Sequence, residues 1–204
     1  MPPSKGVRKK NGAMNATEGK PLPCGAVYDG RGTNISVFSR IADGVEVCLF
    51  DDSGEETRVS LPAHTGGCWH GYFTYVEPGQ RYGFRVAGPW DPSAGHFCCP
   101  SKLLLDPCAR AVEGVVQWTD SLFPFDPQNP AQPRNRTDSQ SEMPKAVVVD
   151  DAFDWRGTPR PDFSCETSVI YEVHVKGFTA RNPDIPPELR GTYAGLAHPA
   201  AIGH

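Results

Sequence analysis

From residue 21 to about residue 113 the chain alternates short apolar runs with turn signals. Five of these runs, Asn34–Phe38, Val45–Phe50, Thr57–Leu61, Trp69–Val76 and Arg81–Ala87, are rich in Val, Phe, Tyr and Trp and partly keep the period-2 alternation of half-buried strands. Asp29-Gly30, Asp43-Gly44, Ser53-Gly54, Gly66-Gly67, Pro78-Gly79 and Gly88-Pro89 punctuate them, at intervals of about 10–14 residues. That cadence predicts antiparallel hairpins stacked as a β-sandwich and leaves no room for βαβ units. Val37, Val47, Leu49, Phe73, Phe84 and Val86 are expected in its core. Leu103–Leu105 and Ala111–Val116 are further candidate strands.

Residues 114–165 read differently. Proline stands at 124, 127, 130, 133, 144, 159 and 161, with a single apolar run, Ala146–Val149. Proline cannot donate to a ladder, so this stretch is expected as an extended connector laid over a surface. Trp118 and Trp155 are expected to anchor it. The strongest strand signal of the chain follows in Thr167–Gly177, with Val169, Tyr171, Val173 and Val175 on one face and Ile170, Glu172, His174 and Lys176 on the other. Near the end, His198-Pro199-Ala200-Ala201-Ile202 predicts a helix with Pro at its first position.

Composition narrows the class. Gly 21 and Pro 21 in 204 residues are nearly twice the usual share of about 12%, which suits a turn-rich β protein and argues against a helical bundle. The formal charge of −4 gives no electrostatic reason to expect nucleic acid or an anionic membrane. Residues 1–20 carry Lys5, Arg8, Lys9, Lys10 and Lys20 against Glu18 alone, without periodicity, and are expected to be a disordered basic tail. No apolar run approaches the length of a membrane span, and no apolar stretch follows the basic start. The seven cysteines, at 24, 48, 68, 98, 99, 108 and 165, form no C-x-x-C pair and no zinc-ligand spacing. They read as free thiols of a cytoplasmic protein.

Several runs together carry a family resemblance: Tyr28-Asp29-Gly30 with Asn34 and Phe38; Trp69-His70-Gly71-Tyr72; Pro78-Gly79-Gln80-Arg81-Tyr82-Gly83-Phe84-Arg85-Val86 with Gly88-Pro89-Trp90; Lys102–Pro107; and Ile170–Gly177 with Arg190-Gly191-Thr192-Tyr193. From about residue 22 onward the chain resembles the N-terminal part of bacterial glycogen debranching enzymes of the isoamylase type, in glycoside hydrolase family 13. The resemblance implies an immunoglobulin-like sandwich over residues 21–113, related to carbohydrate-binding modules. It implies that residues 166–204 begin a catalytic (β/α)₈ barrel whose first strand is Val169–Val175. Such a barrel needs about 250 residues, and 38 remain from Thr167 to the last residue, so the barrel is expected to be incomplete here. The chain departs from the family at Phe97-Cys98-Cys99, which follows Gly95-His96 in place of the usual Arg-Phe-Asn.

The chemistry expected of this chain is therefore binding and scaffolding. The family's nucleophile, acid/base and stabilising carboxylates lie on later barrel strands, so no catalytic residue is assigned, and neither a metal nor a cofactor is expected. Glu172 and His174 are expected to point into the barrel and to bond neighbouring strands rather than substrate. Asp150, Asp151 and Asp154 lack the spacing of a Ca²⁺ loop. A sugar stacks its apolar face on an aromatic ring, which makes Trp69, Tyr72 and Trp90 the candidate glycan contacts, with packing inside the sandwich as the competing role for each. The expected partner is a glycogen-like α-glucan. The expected role is the N-terminal portion of an α-1,6-debranching hydrolase; the alternative is a stand-alone α-glucan-binding or protein-interaction module without catalysis.

Overall fold

The computed structural model describes residues 15–126, 134–160 and 162–203. Two compact units divide between Phe153 and Asp154. In the first, strands β1 (Gly25–Tyr28), β2 (Thr33–Phe38), β3 (Gly44–Phe50), β4 (Glu56–Ser60), β5 (Ala63–Thr65), β6 (Cys68–Phe73), β7 (Arg81–Ala87), β8 (Trp90–Asp91), β9 (His96–Phe97), β10 (Ala111–Glu113) and β11 (Lys145–Val147) succeed one another. They form a four-stranded sheet ordered β1-β2-β6-β5, a five-stranded sheet ordered β10-β11-β7-β3-β4, and the β8-β9 hairpin. Every pairing is antiparallel.

Period-2 alternation decides which face of each strand meets the other sheet. Ile35 and Phe73 from the first sheet pack with Val45, Val47, Leu49, Tyr82 and Phe84 from the second in one core, and Val37 and Val86 lie partly buried against it. In register, Val47 faces Phe84 and Ile35 faces Gly71. The buried Tyr82 hydroxyl donates to Asp106 Oδ2 at 2.6 Å, and Cys108 N–H donates to Asp106 Oδ1, so the Asp106-Pro107 turn is tied to the core strand. Burial, then the Asp106 bond, pushes the Tyr82 phenol up.

The outer faces are covered as well, by segments the hydrophobic pattern does not place there. Residues 15–20, expected in a disordered tail, are ordered: Thr17 exchanges backbone hydrogen bonds with Tyr72 beside β6, and Asn34 bonds Lys20 in both directions. The remainder of that basic tail, with Lys5, Arg8, Lys9 and Lys10, lies outside the described residues. The Pro-rich stretch expected as a connector is likewise part of the sandwich unit. Its run Lys145–Val147 enters the second sheet between β10 and β7, because β7 offers an unpaired edge there and antiparallel pairing satisfies both. Pro127, Pro130, Pro133 and Pro161 lie outside the described residues. Trp118 is 78% exposed and anchors nothing by burial.

What holds the Pro-rich stretch is polar and buried. Arg85, on the outer face of β7 with its side chain 0% exposed, donates to Glu56 of β4 at 2.6 and 2.9 Å, to Asp138 at 2.9 Å and to Pro100 O at 3.0 Å. Lys102 Nζ donates to Ser121 O and Thr137 O, and the buried Ser139 Oγ accepts from Leu103 N–H. Cys48, Phe50 and Leu103 fill the apolar space beneath, with Met143 against them. Burial alone would raise the Glu56 carboxyl, but hydrogen bonds from Arg85, Cys48 and Arg58 outweigh it and hold it at about 2.

The second unit contains short helices: α1 (Val175–Thr179), α2 (Tyr193–Leu196) and α3 (Pro199–Ile202). The expected helix at His198–Ile202 is α3, with His198 Nδ1 capping it by accepting from Ala200 N–H. The expected barrel strand Val169–Val175 is not formed. A parallel strand needs a neighbour on each edge, and no strand is present among the described residues of this unit. Val169 and Ile170 are 95% and 91% exposed. Glu172 and His174 are exposed rather than interior, and His174 Nδ1 accepts from Gly177 N–H as the cap of α1. No helix among the described residues is long and apolar enough to cross a membrane.

Arg85→Ala is expected to destabilise the fold by about 3 kcal/mol, because it removes the buried partner of Glu56 and leaves that carboxylate only Cys48 and the half-exposed Arg58; Asp138→Ala, at a carboxylate 49% exposed, is expected to cost about 1 kcal/mol. Urea titration of the three proteins measures both. The depressed Glu56 pKa adds a pH signature. Its contribution is complete above the ordinary carboxylate value near 4.5 and is lost as pH falls toward about 2. Wild type should lose stability across that window more steeply than Glu56→Gln.

Candidate functional site

The three aromatic candidates are placed in three different settings. Trp69 and Tyr72 sit at odd and even positions of β6 and so project from opposite faces of the first sheet. Trp69 packs against the core, stacks on His64 at 4.5 Å between centroids, and donates its indole N–H to Ser39 O at 3.2 Å. One ring face and the polar edge are thus already used. Tyr72 donates its hydroxyl to Asp29 Oδ1 at 2.9 Å, and the same carboxylate accepts from Arg31 N–H and Gly32 N–H. It closes the β1–β2 turn. The backbone bond from Arg31, then the one from Tyr72, lowers the Asp29 carboxyl; burial, then Asp29, raises the Tyr72 phenol.

Trp90 belongs to the β8–β9 hairpin, where it pairs with Phe97, and Asp91 pairs with His96. The connection is a single 3-10 turn, Pro92–Ala94, whose first position holds the Pro it favours. Asp91 caps the turn, accepting from Ser93 Oγ at 2.6 Å, Ser93 N–H at 3.1 Å and Ala94 N–H at 3.3 Å. The Ser93 hydroxyl, then the Ala94 amide, holds the Asp91 carboxyl below the usual range. A short, capped hairpin of this kind fixes its two rings without a core beneath them.

Those rings continue into a ribbon. Trp90 meets Phe97 edge-on at 5.5 Å, Phe97 lies 5.6 Å from Phe125, and Phe125 lies 6.0 Å from Phe123. The Arg134 guanidinium sits 4.8 Å from the Trp90 ring centre. Phe97 is 40% exposed, whereas Trp90, Phe123 and Phe125 are half-buried. Phe97 opens the stretch that departs from the family pattern, and it pairs with the candidate tryptophan. Phe123, Phe125 and Arg134 are not among the residues the sequence singles out, and Phe97 stands out there only as part of the departure from the family pattern. The Phe-Pro-Phe run at 123–125 carried the only local signal of them, because nothing in the chain order says that it reaches the hairpin.

Chemically the ribbon offers π-faces for the axial C–H groups of a pyranose and, in the Arg134 guanidinium stacked over one face of Trp90, a charged donor for its hydroxyls. It lacks a nucleophile, and among the described residues no group of three or more His, Cys, Asp or Glu side chains is arranged to hold a metal ion.

Residues 23–109 match carbohydrate-binding module 48, the isoamylase N-terminal domain. Over 190 residues, 93% of the chain, the sequence is 51% identical to the glycogen debranching enzyme of Cronobacter sakazakii. The chain spans 28% of the length of that relative. Among solved structures it is similar to ligand-free PulA from Klebsiella pneumoniae, with a TM-score of 0.58 at 18% identity over 86% of this chain and 15% of the other. It is also similar to the pullulanase of Paenibacillus barengoltzii in complex with maltohexaose and α-cyclodextrin, with a TM-score of 0.55 at 20% identity over 90% of this chain and 24% of the other. Likeness at those identities speaks for the fold, which is the mainly β sandwich described above. Over residues 23–109 the sandwich is thus similar to carbohydrate-binding module 48, and the chain carrying it is similar to the N-terminal region of bacterial glycogen debranching enzymes.

Proposed function

We propose that the module binds α-glucan through the Trp90–Phe97 hairpin, and that the chain is the scaffold and substrate-positioning portion of an enzyme hydrolysing α-1,6-glucosidic branches in glycogen-like glucans. The observation that carries the binding site is the aromatic ribbon: rings held by a capped hairpin outside the core, beside a guanidinium. Trp69 and Tyr72 are committed to His64 and Asp29 and serve the fold. The likeness to debranching enzymes supports the wider role. Residues 166–204 belong in this reading to the catalytic part and residues 21–113 to the module. The seven unbridged cysteines support action in the cytoplasm.

Affinity is expected to be weak. One or two stacked rings contribute about 1 kcal/mol each and must offset the immobilisation of a flexible oligosaccharide, which puts Kd on the order of a millimolar. Titration of the chain with maltohexaose, followed by Trp fluorescence, should show saturation in wild type. Trp90→Ala should weaken binding at least about fivefold, the equivalent of one lost ring. An unchanged Kd for Trp90→Ala refutes the site.

Tyr72→Phe provides the contrast: it is expected to cost about 1 kcal/mol of stability by urea titration, through the lost bond to Asp29, and to leave maltohexaose affinity unchanged. The 204-residue chain alone is expected to release no reducing ends from branched glucan, since retaining glycosidases need two carboxylates that this chain does not match. Debranching by the purified chain refutes the scaffold role.

A further inference from the structure

Residues 18–24 cross the outer face of the first sheet as a strap. Glu18 O bonds His70 Nδ1 at 2.7 Å, Pro21 O accepts from Ser36 Oγ at 2.6 Å, and Gly19 lies so close to the sheet that a Cβ there would meet Gly71 C at 2.8 Å. Gly25, at φ +98°, turns the chain off the strap and down into β1. The last residue of the strap is Cys24, and beneath it stands Cys68, the first residue of β6. Their Sγ atoms are 4.0 Å apart. Cys108, exposed, comes to the same corner: a Cβ on Gly25 would lie 3.2 Å from Cys108 Cβ. Three segments far apart in sequence thus bring thiols together.

The environment distinguishes the pair. Cys24 is half-buried and Cys68 is 7% exposed. Burial, then the bond with Cys24, pushes the Cys68 thiol up; Cys68 is the shielded member, and the more exposed Cys24 is the sulfur a small oxidant reaches first. A disulfide needs the sulfurs to close to about 2.05 Å. That is an approach of about 2 Å, which side-chain rotation and the strap share.

We propose that Cys24 and Cys68 are a dithiol modification site that closes to an intramolecular disulfide on reaction with a peroxide. The Cys24 thiolate attacks the peroxide, the O–O bond breaks, and a sulfenic acid forms as hydroxide leaves. The Cys68 sulfur then attacks the Cys24 sulfur; the S–S bond forms, the S–O bond breaks, and the departing hydroxide takes the Cys68 proton as water. Two thiols are oxidised and one peroxide is reduced to two waters. The product ties the strap to β6 and closes a span of 44 residues, which restricts the unfolded chain.

The test treats the reduced 204-residue chain with hydrogen peroxide, alkylates it with N-ethylmaleimide and maps its peptides without reduction. A Cys24–Cys68 linked peptide is expected, reversed by dithiothreitol, with exposed Cys165 alkylated before and after. The oxidised protein should melt about 5 °C or more above the reduced one. Cys68→Ser should abolish the link and the shift, and Cys108→Ser should keep both. A map in which Cys24 stays alkylated, or is joined to Cys108 instead, overturns the proposal.

Discussion

The Arg85 guanidinium is fully buried, with its charge balanced by two carboxylates that arrive from different parts of the chain. Glu56 comes from the neighbouring hairpin and Asp138 from the Pro-rich stretch 53 residues downstream. A buried cation tolerates no partial solution: its donors must be met and its charge offset, or the site is worse than an apolar one. The planar fork of Arg meets Glu56 through two parallel bonds and still has donors for Asp138 and Pro100 O, which the single ammonium of Lys could not do. Residues 100–104 and 134–145 lie across the outer face of the second sheet and meet Arg85 there through Pro100 O and Asp138. With them in place, Lys145–Val147 is delivered to the open edge of β7 and the sheet gains β11 and β10.

This explains why the sandwich was legible in the sequence and its covering was not. The inner face is written in period 2: four of the six core residues expected from alternation, Val47, Leu49, Phe73 and Phe84, are fully in the core, and Val37 and Val86 lie against it. The outer-face contacts depend on which carbonyl or carboxylate happens to lie above a given strand, and no periodicity encodes that. Arg85 and Lys102 look in sequence like ordinary solvated charges, yet they are 1% and 3% exposed. Proline density identified residues 114–165 as a segment laid over a surface; that the part of it up to Phe153 lies on the chain's own sheet, and that it gives back a strand, follows from long-range polar pairing alone.

The same distinction separates the aromatic candidates. Trp69, Tyr72 and Trp90 are equivalent as letters, and each is half-buried. What differs is the partner. His64 across β5–β6 is in register with Trp69 and occupies its face; Asp29 takes the Tyr72 hydroxyl. Trp90 differs because it sits on a two-residue strand closed by a capped turn: Phe97 meets its ring edge-on, and the group over its face is a guanidinium, whose charge favours staying near water. The binding surface proposed at Trp90 would be a by-product of a hairpin too short to have a core.

Residues 167–177 show the limit of pattern reading from the other side. Their alternation is the strongest in the chain, yet they form a 3-10 turn, Cys165–Thr167, an irregular run and the start of α1. Alternation states which side chains would share a face if a ladder existed, and supplies none of the ladder's hydrogen bonds. Those come from neighbouring strands, and for a parallel strand from connections of a dozen residues or more. Without them the backbone groups are better satisfied locally: His174, placed by the pattern on a strand face with Glu172, finds the Gly177 amide three residues on and nucleates one helical turn. The β propensity of Val169, Ile170 and Tyr171 is a property of a pleated, half-buried surface. Where that surface is not assembled, the propensity has nothing to act on, and the choice between strand and helix passes to whichever hydrogen bond is nearest.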